Sequence, residues 1–152
     1  MIKMIETVLA YIDSGDSLLM LYRNKKEKDI NKNKWIGVGG HLEKGETPID
    51  ALYREVKEET GFDIISYQKC GKIYFNYDNT HEIMHLFKIT KVSGELIECD
   101  EGTLKYIPKN EIYNLPLWEG DKIFLKKMLT SKEYFELELN YLKDKLVSYK
   151  FL

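Results

Sequence analysis

Apolar residues fall in short runs through most of the chain and alternate strictly with polar ones near its end. Thr7–Tyr11 and Ser17–Tyr22 are short apolar runs, and Asp13-Ser14-Gly15-Asp16 between them carries turn chemistry, so two strands joined as a hairpin are predicted. The lysine- and asparagine-rich stretch from Asn24 to Lys34 reads as a solvated loop. Trp35-Ile36-Gly37-Val38-Gly39-Gly40 is a short strand broken by glycines, a pattern expected where another group must approach the backbone closely. Further strands are predicted near Ile64–Tyr77, Glu82–Thr90 and Leu104–Ile107, with a second helix over Glu119–Leu129. Phe135, Leu137, Leu139 and Tyr141 alternate with Glu136, Glu138 and Asn140, a half-buried strand that Lys143-Asp144 can turn into a last one, Leu146–Phe151. Mixed strands with two or three helices imply an α+β or α/β sandwich.

The firmest local element is a helix over residues 48–60. Thr47 is its predicted N-cap, Pro48 its first residue, Asp50 a first-turn acid, and Gly61 the left-handed stop. On a wheel of about 100° per residue with Glu55 at zero, Glu58 falls near roughly −60° and Glu59 near roughly +40°. All three acids therefore share one face. Ile49, Leu52, Tyr53 and Val56 cluster around roughly +110° as the expected core stripe, and Ala51 leaves room beside the carboxylates. Glu55 and Glu59 are a like-charge pair that costs about 0.2–0.5 kcal/mol unless a cation compensates it. A solvated acidic face relieved by Arg54 and a site for a hard cation are both compatible with that spacing.

Composition narrows the setting. The chain has 152 residues, 43% hydrophobic and 32% charged, with a formal charge of −2. That is enough for one compact domain over 1–152, with lysines and acids interspersed and no basic, aromatic-rich stretch for a nucleic-acid polymer. Cys70 and Cys99 make neither a disulfide framework nor a zinc set and read as buried, idle thiols. No apolar run could span a bilayer and no address is visible, so a soluble cytoplasmic protein without a membrane partner is expected, as a monomer or homodimer.

Chemistry enters with one motif. Gly40, five residues, Glu46, seven residues, and then Arg54-Glu55-Val56-Lys57-Glu58-Glu59-Thr60-Gly61-Phe62 resembles the Nudix box, with Phe62 departing from the usual aliphatic residue. Chance agreement at its fixed positions in a given register is on the order of 10⁻⁸. The resemblance covers 40–62 most strongly and implies a Nudix-type α/β/α sandwich with a mixed β-sheet. It further implies that Glu55, Glu58 and Glu59 hold Mg²⁺ or Mn²⁺ with the Gly39 carbonyl, that Arg54 orients the carboxylates by pairing with Glu46, and that Glu101 completes the metal site or serves as base. The activity implied is attack of water on a phosphorus, with Glu55 or Glu101 taking the proton, releasing nucleoside monophosphate and pyrophosphate.

Trp35–His41 together with Leu117-Trp118-Glu119-Gly120-Asp121 resembles the MutT/MutX group of 8-oxo-dGTP diphosphatases. In that likeness Trp118 stacks on a purine, Asp121 bonds its edge, Arg23 steadies the phosphates, and Thr7 belongs to the same substrate site. The implied role is nucleotide-pool sanitation in support of DNA repair. Ile36 stands where some purine-sanitising relatives carry an asparagine that reads the base. Tyr77 sits near the place of a tyrosine in dinucleoside-polyphosphate hydrolases, which keeps that substrate class open alongside a non-catalytic nucleotide sensor. His41 and His85 read as ordinary surface or sheet histidines.

Overall fold

The computed structural model describes residues 2–152. Nine strands form one mixed sheet: β1 (Lys3–Asp13), β2 (Ser17–Tyr22), β3 (Trp35–Ile36), β4 (Val38–His41), β5 (Asp63–Tyr77), β6 (Thr80–Ser93), β7 (Thr103–Pro108), β8 (Phe135–Leu142) and β9 (Lys145–Phe151). Helices α1 (Pro48–Thr60) and α2 (Glu119–Thr130) and a short 3₁₀ turn, Lys109–Asn114, complete the chain.

The main sheet runs β3-β2-β1-β6-β5-β8-β9, with β4 added to β1 and β7 to β2. β1 lies parallel to β6 and β5 parallel to β8, while the other pairings are antiparallel. β1 is apolar without a break from Val8 to Ile12 because alternate side chains serve two cores. Val8, Ala10 and Ile12 pack with Leu52 and Val56 of α1. Leu9 and Tyr11 pack on the other face with Phe124 and Leu125 of α2. The result is an α/β/α sandwich, in agreement with the sequence.

The broken apolar run 35–40 resolves into two strands because Gly37 marks a change of partner: β3 pairs with β2, and β4 pairs with β1. At Gly39 the chain takes φ 154°, and a Cβ there would stand 1.9 Å from the Val8 carbonyl oxygen, so only glycine fits.

Two expectations are corrected. Tyr53 is exposed rather than part of the core stripe, meeting Tyr67 edge-on at the surface. The buried face of α1 is instead Ala51, Leu52, Val56, Glu59 and Thr60. It is rotated roughly 50° towards the acids, because α1 packs over the narrow β4 as well as over β1. The 24–34 segment is a loop, but not merely a solvated one. Asp29 accepts from Arg23 Nε at 2.7 Å and from the Asn31 backbone N–H at 3.0 Å, and Asn31 accepts from the Trp118 indole at 2.7 Å.

Candidate active site

α1 starts and stops where its caps dictate. Thr47 Oγ1 accepts from the Asp50 N–H and Asp50 returns the bond to the Thr47 N–H, each at 3.1 Å, while Gly61 closes the far end at φ 83°. The helix lays its acids against β4. A Cβ on Gly40 would fall 2.6 Å from Glu55 Oε1, so the glycine makes room for that carboxylate. Glu59 Oε2 accepts from the Gly39 N–H at 2.7 Å.

Arg54 organises the outer acids. It grips Glu46 with Nε at 2.8 Å and Nη2 at 2.9 Å, and donates from Nη1 to Glu55 at 2.9 Å and Glu58 at 3.3 Å. The guanidinium holds the Glu46 carboxyl down at about 2. Burial pushes Glu55 above the usual carboxylate range despite Arg54. Glu58 remains mostly exposed on the far side of the arginine.

Behind them Glu59 is 6% exposed and faces Glu101. As two carboxylates this pair has no hydrogen to share, and Glu59 Oε1 is buried without a donor. Burial, and then the hydrogen bond to Glu101 that a proton would create, raise the Glu59 pKa far above its ordinary value. That same bond, with Arg23 and Lys26 beside it, lowers Glu101. Lys26 stands 3.2 Å and Arg23 3.7 Å from Glu101. Among the described residues no three acidic, histidine or cysteine side chains are gathered into a ready metal cage. The centre is nevertheless short of positive charge: an orphaned buried oxygen and crowded carboxylates, all hard oxygen donors, fit a divalent cation of the magnesium type.

A cavity of about 430 Å³ runs alongside. One end is lined by Arg23, Gly39, Gly40, Glu55 and Glu101, the other by Thr7, Ile36, Phe75, Tyr77, Glu82, Met84, Trp118 and Asp121. Of the predicted site residues, Thr7, Arg23, Gly39, Glu55, Glu101, Trp118 and Asp121 therefore share one space. Arg54, Glu58 and Glu59 stand around it without lining it. Arg23 is anchored by Asp29 rather than free in the loop. Trp118 is 6% exposed, wedged edge-on between Phe75 and Tyr141, with Lys34 Nζ 4.9 Å from its ring centre. Asp121 is buried in the first turn of α2, and burial pushes its carboxyl up to about 8. Gly120 enforces that placement. Its N–H donates to the Tyr141 hydroxyl at 2.6 Å, and a Cβ there would meet Leu139 at 2.5 Å.

Sequence reasoning missed Glu82, Phe75, Met84, Asp29 and Asn31. For Glu82 a signal existed: on β6 it shares a face with Met84 and Leu86, and Leu86 is a fully buried core residue. His85 is a buried sheet histidine whose Nε2 lies 2.5 Å from Glu6, away from the cavity, whereas His41 lines it. Cys70 and Cys99 are buried free thiols.

A glutamate-bearing helix packed on a glycine strand inside an α/β/α sandwich, with a ligand-sized cavity beside both, defines a Nudix-type domain. The NUDIX domain family matches residues 4–128, and the chain belongs to that family. It is 30% identical over 146 residues to the uncharacterized Nudix hydrolase YvcI of Bacillus subtilis, covering 91% of this chain and 89% of the relative. It is 29% identical over 130 residues to an oxidized purine nucleoside triphosphate hydrolase of Danio rerio, covering 84% and 81% of the two chains. Among solved structures, a MutT protein from Bacillus halodurans superposes with TM-score 0.86 at 27% identity over 97% of each chain. This protein is a Nudix hydrolase. No helix among the described residues is long and apolar enough to cross a membrane.

Proposed function

We propose that residues 1–152 act as one Nudix domain that hydrolyses a purine nucleoside triphosphate to the monophosphate and pyrophosphate, with Mg²⁺ or Mn²⁺ as cofactor. The observation that carries this reading is the cavity that joins Glu55 of α1 and Glu101 to an end walled by Trp118, Phe75 and Asp121. An oxidised purine such as 8-oxo-dGTP is the favoured substrate, in keeping with relatives named for that activity in zebrafish and mouse.

A divalent cation at Glu55, Glu58, Glu59, Glu101 and the Gly39 carbonyl would neutralise phosphate oxygens and acidify water. Glu55 and Glu101 both open onto the cavity, each beside a cation (Arg54 for Glu55, Lys26 and Arg23 for Glu101), and either would receive the water proton. Arg54 holds the outer carboxylates in register through Glu46. Arg23, fixed by Asp29, faces the phosphates with a pre-set guanidinium. Trp118 and Phe75 shape the base end, and Asp121 meets the base edge. The loop 24–34 and Trp118 close that end against water through the Asn31 bond.

A magnesium-dependent screen of nucleotides, following pyrophosphate and phosphate release, tests the proposal. The expected outcome is pyrophosphate release with a kcat/KM advantage for 8-oxo-dGTP over dGTP and over diadenosine polyphosphates. Equal values for all three would remove the oxidised-purine assignment, and absence of pyrophosphate would remove the triphosphate reaction.

A further inference from the structure

Three walls of the base end, Phe75, Trp118 and Asp121, lean on one residue that does not itself line the cavity. A helix start leaves backbone N–H groups without partners inside the helix, and a side chain at the N-cap ordinarily takes one of them. Trp118 is the N-cap of α2, and its indole offers no oxygen for that purpose. The acceptor comes instead from β8: Tyr141 Oη takes the buried Gly120 N–H at 2.6 Å, across 21 residues of chain. The ring of the same side chain lies 4.7 Å from Phe75 and 5.3 Å from Trp118, centre to centre. β8 runs parallel to β5 with Leu139 opposite Phe75 and Tyr141 opposite Tyr77. The strand that backs the wall is thus locked in register to a strand that forms part of it. Leu139 presses on Gly120 where a Cβ would fall 2.5 Å from it, so α2 approaches β8 this closely only through that glycine. β8 also lies outside residues 4–128, over which the chain matches its family, so the matched segment does not contain this support.

Resting on the reading of this end as a base site, we propose that Tyr141 is a positioning residue for substrate binding. Its hydroxyl caps α2 through Gly120 and so holds Trp118 and Asp121 at the spacing a nucleobase requires. Gly120 sits between the N-cap and the third helical residue, and whatever moves its N–H moves Trp118 and Asp121 together. Without the hydroxyl, that N–H is buried with no acceptor, an unfavourable state that the turn relieves by shifting until water reaches it. Base binding then has to return the turn to its place and strip that water, so the loss falls on substrate affinity. Glu55 and Glu101 lie at the other end of the cavity, and the chemical step there is unaffected.

Steady-state kinetics on the magnesium-loaded enzyme separates the two ends of the cavity. Wild type, Tyr141→Phe and Tyr134→Phe are compared on dGTP, 8-oxo-dGTP and deoxyribose triphosphate, which carries sugar and phosphates but no base. Tyr134→Phe is the control, since it removes the hydroxyl that an exposed side chain gives to Glu136. Tyr141→Phe keeps the packed ring. It is expected to raise KM for dGTP and 8-oxo-dGTP about tenfold, the worth of one buried hydrogen bond, with kcat within about twofold of wild type. Its KM for the base-free triphosphate, and every constant of Tyr134→Phe, are expected to match wild type. Amide hydrogen exchange supplies a readout without turnover: the Gly120 N–H is expected to exchange at least about tenfold faster in Tyr141→Phe. An unchanged KM for dGTP, an equal rise for the base-free triphosphate, a fall in kcat at constant KM, or unchanged Gly120 exchange would overturn the positioning role. Those results leave the base site standing as long as wild type prefers dGTP to the base-free triphosphate. A wild type that cleaves both equally well, or none of the three, would sink that reading and the positioning role with it.

Discussion

Asp121 is pulled in opposite directions by its surroundings. It stands in the first turn of α2, where the helix dipole favours an anion by about 0.3–1 kcal/mol. Burial, with Glu82 adding to it, works against the charge and takes the carboxyl from 3.8 to about 8. Burial wins because the dipole is a modest effect and full desolvation shifts a carboxyl by several units. The folded pKa lies above the unfolded one, so this residue's contribution to stability is fully present below 3.8 and is lost as pH rises through about 8. Asp121→Asn keeps the shape and does not titrate. Its unfolding free energy is expected to exceed that of wild type by a margin that widens from pH 5 to pH 8.5, reaching about 2–5 kcal/mol. Calorimetry at those two pH values checks this, and a margin independent of pH would mean that Asp121 is solvated in the folded chain. Nothing about Asp121 in the sequence indicated that conflict. Trp118-Glu119-Gly120-Asp121 reads as a helix start, and only the packing of Leu139 and Tyr141 against Gly120 drives the acid inward.

At the scale of elements, α1 was legible because its signals are local. Thr47, Pro48, Asp50 and Gly61 lie within one chain segment and act on each other directly. Thr47→Ala removes one half of the reciprocal cap and is expected to lower unfolding free energy by about 1 kcal/mol. Denaturant titration checks it, and an unchanged midpoint would show that tertiary packing alone fixes the helix start. What the helical period could not supply is the face α1 turns inward, since that depends on what lies beneath. With β4 reduced to glycines at 39 and 40, the helix can settle until Glu59 meets the Gly39 N–H, which draws Ala51 into the core and leaves Tyr53 outside. Strand positions were equally legible from apolar runs and, for β8, from alternation, but their partners were not. The parallel pairing of β1 with β6, Thr7 opposite Met84, joins segments far apart in sequence, and no residue in either announces the other. Glu82 shares a strand face with buried Leu86, but nothing in its segment names the Thr7 and Tyr77 hydroxyls that β1 and β5 bring to it. The Nudix box made the acids of α1 readable, whereas the base end is assembled from β1, β5, β6, α2 and the 24–34 loop.

For the whole molecule, the two cores on either side of the sheet support a seam that is itself destabilising. Glu59 is buried between Glu55 and Glu101, each of which raises the energy of its charge. Burial of an acid without a cation costs several kcal/mol, and a fold keeps such a defect where function requires it. If that function is cation binding, stability and metal response must trade against each other at this one residue. Glu59→Gln retains an oxygen for the Gly39 N–H, supplies a donor for Glu101, and removes one negative charge. Without metal it is expected to melt above wild type. A divalent cation at a hundred times its dissociation constant should add about 2.7 kcal/mol to the wild type. For a chain of this length that is about 5–10 °C in melting temperature. Glu59→Gln should gain little, so the order of the two proteins narrows or reverses when Mg²⁺ is added. Melting curves with EDTA and with Mg²⁺ decide it. An equal magnesium shift in both proteins would show that the cation binds elsewhere, and the crowding of acids behind β4 would then have to be explained by folding alone.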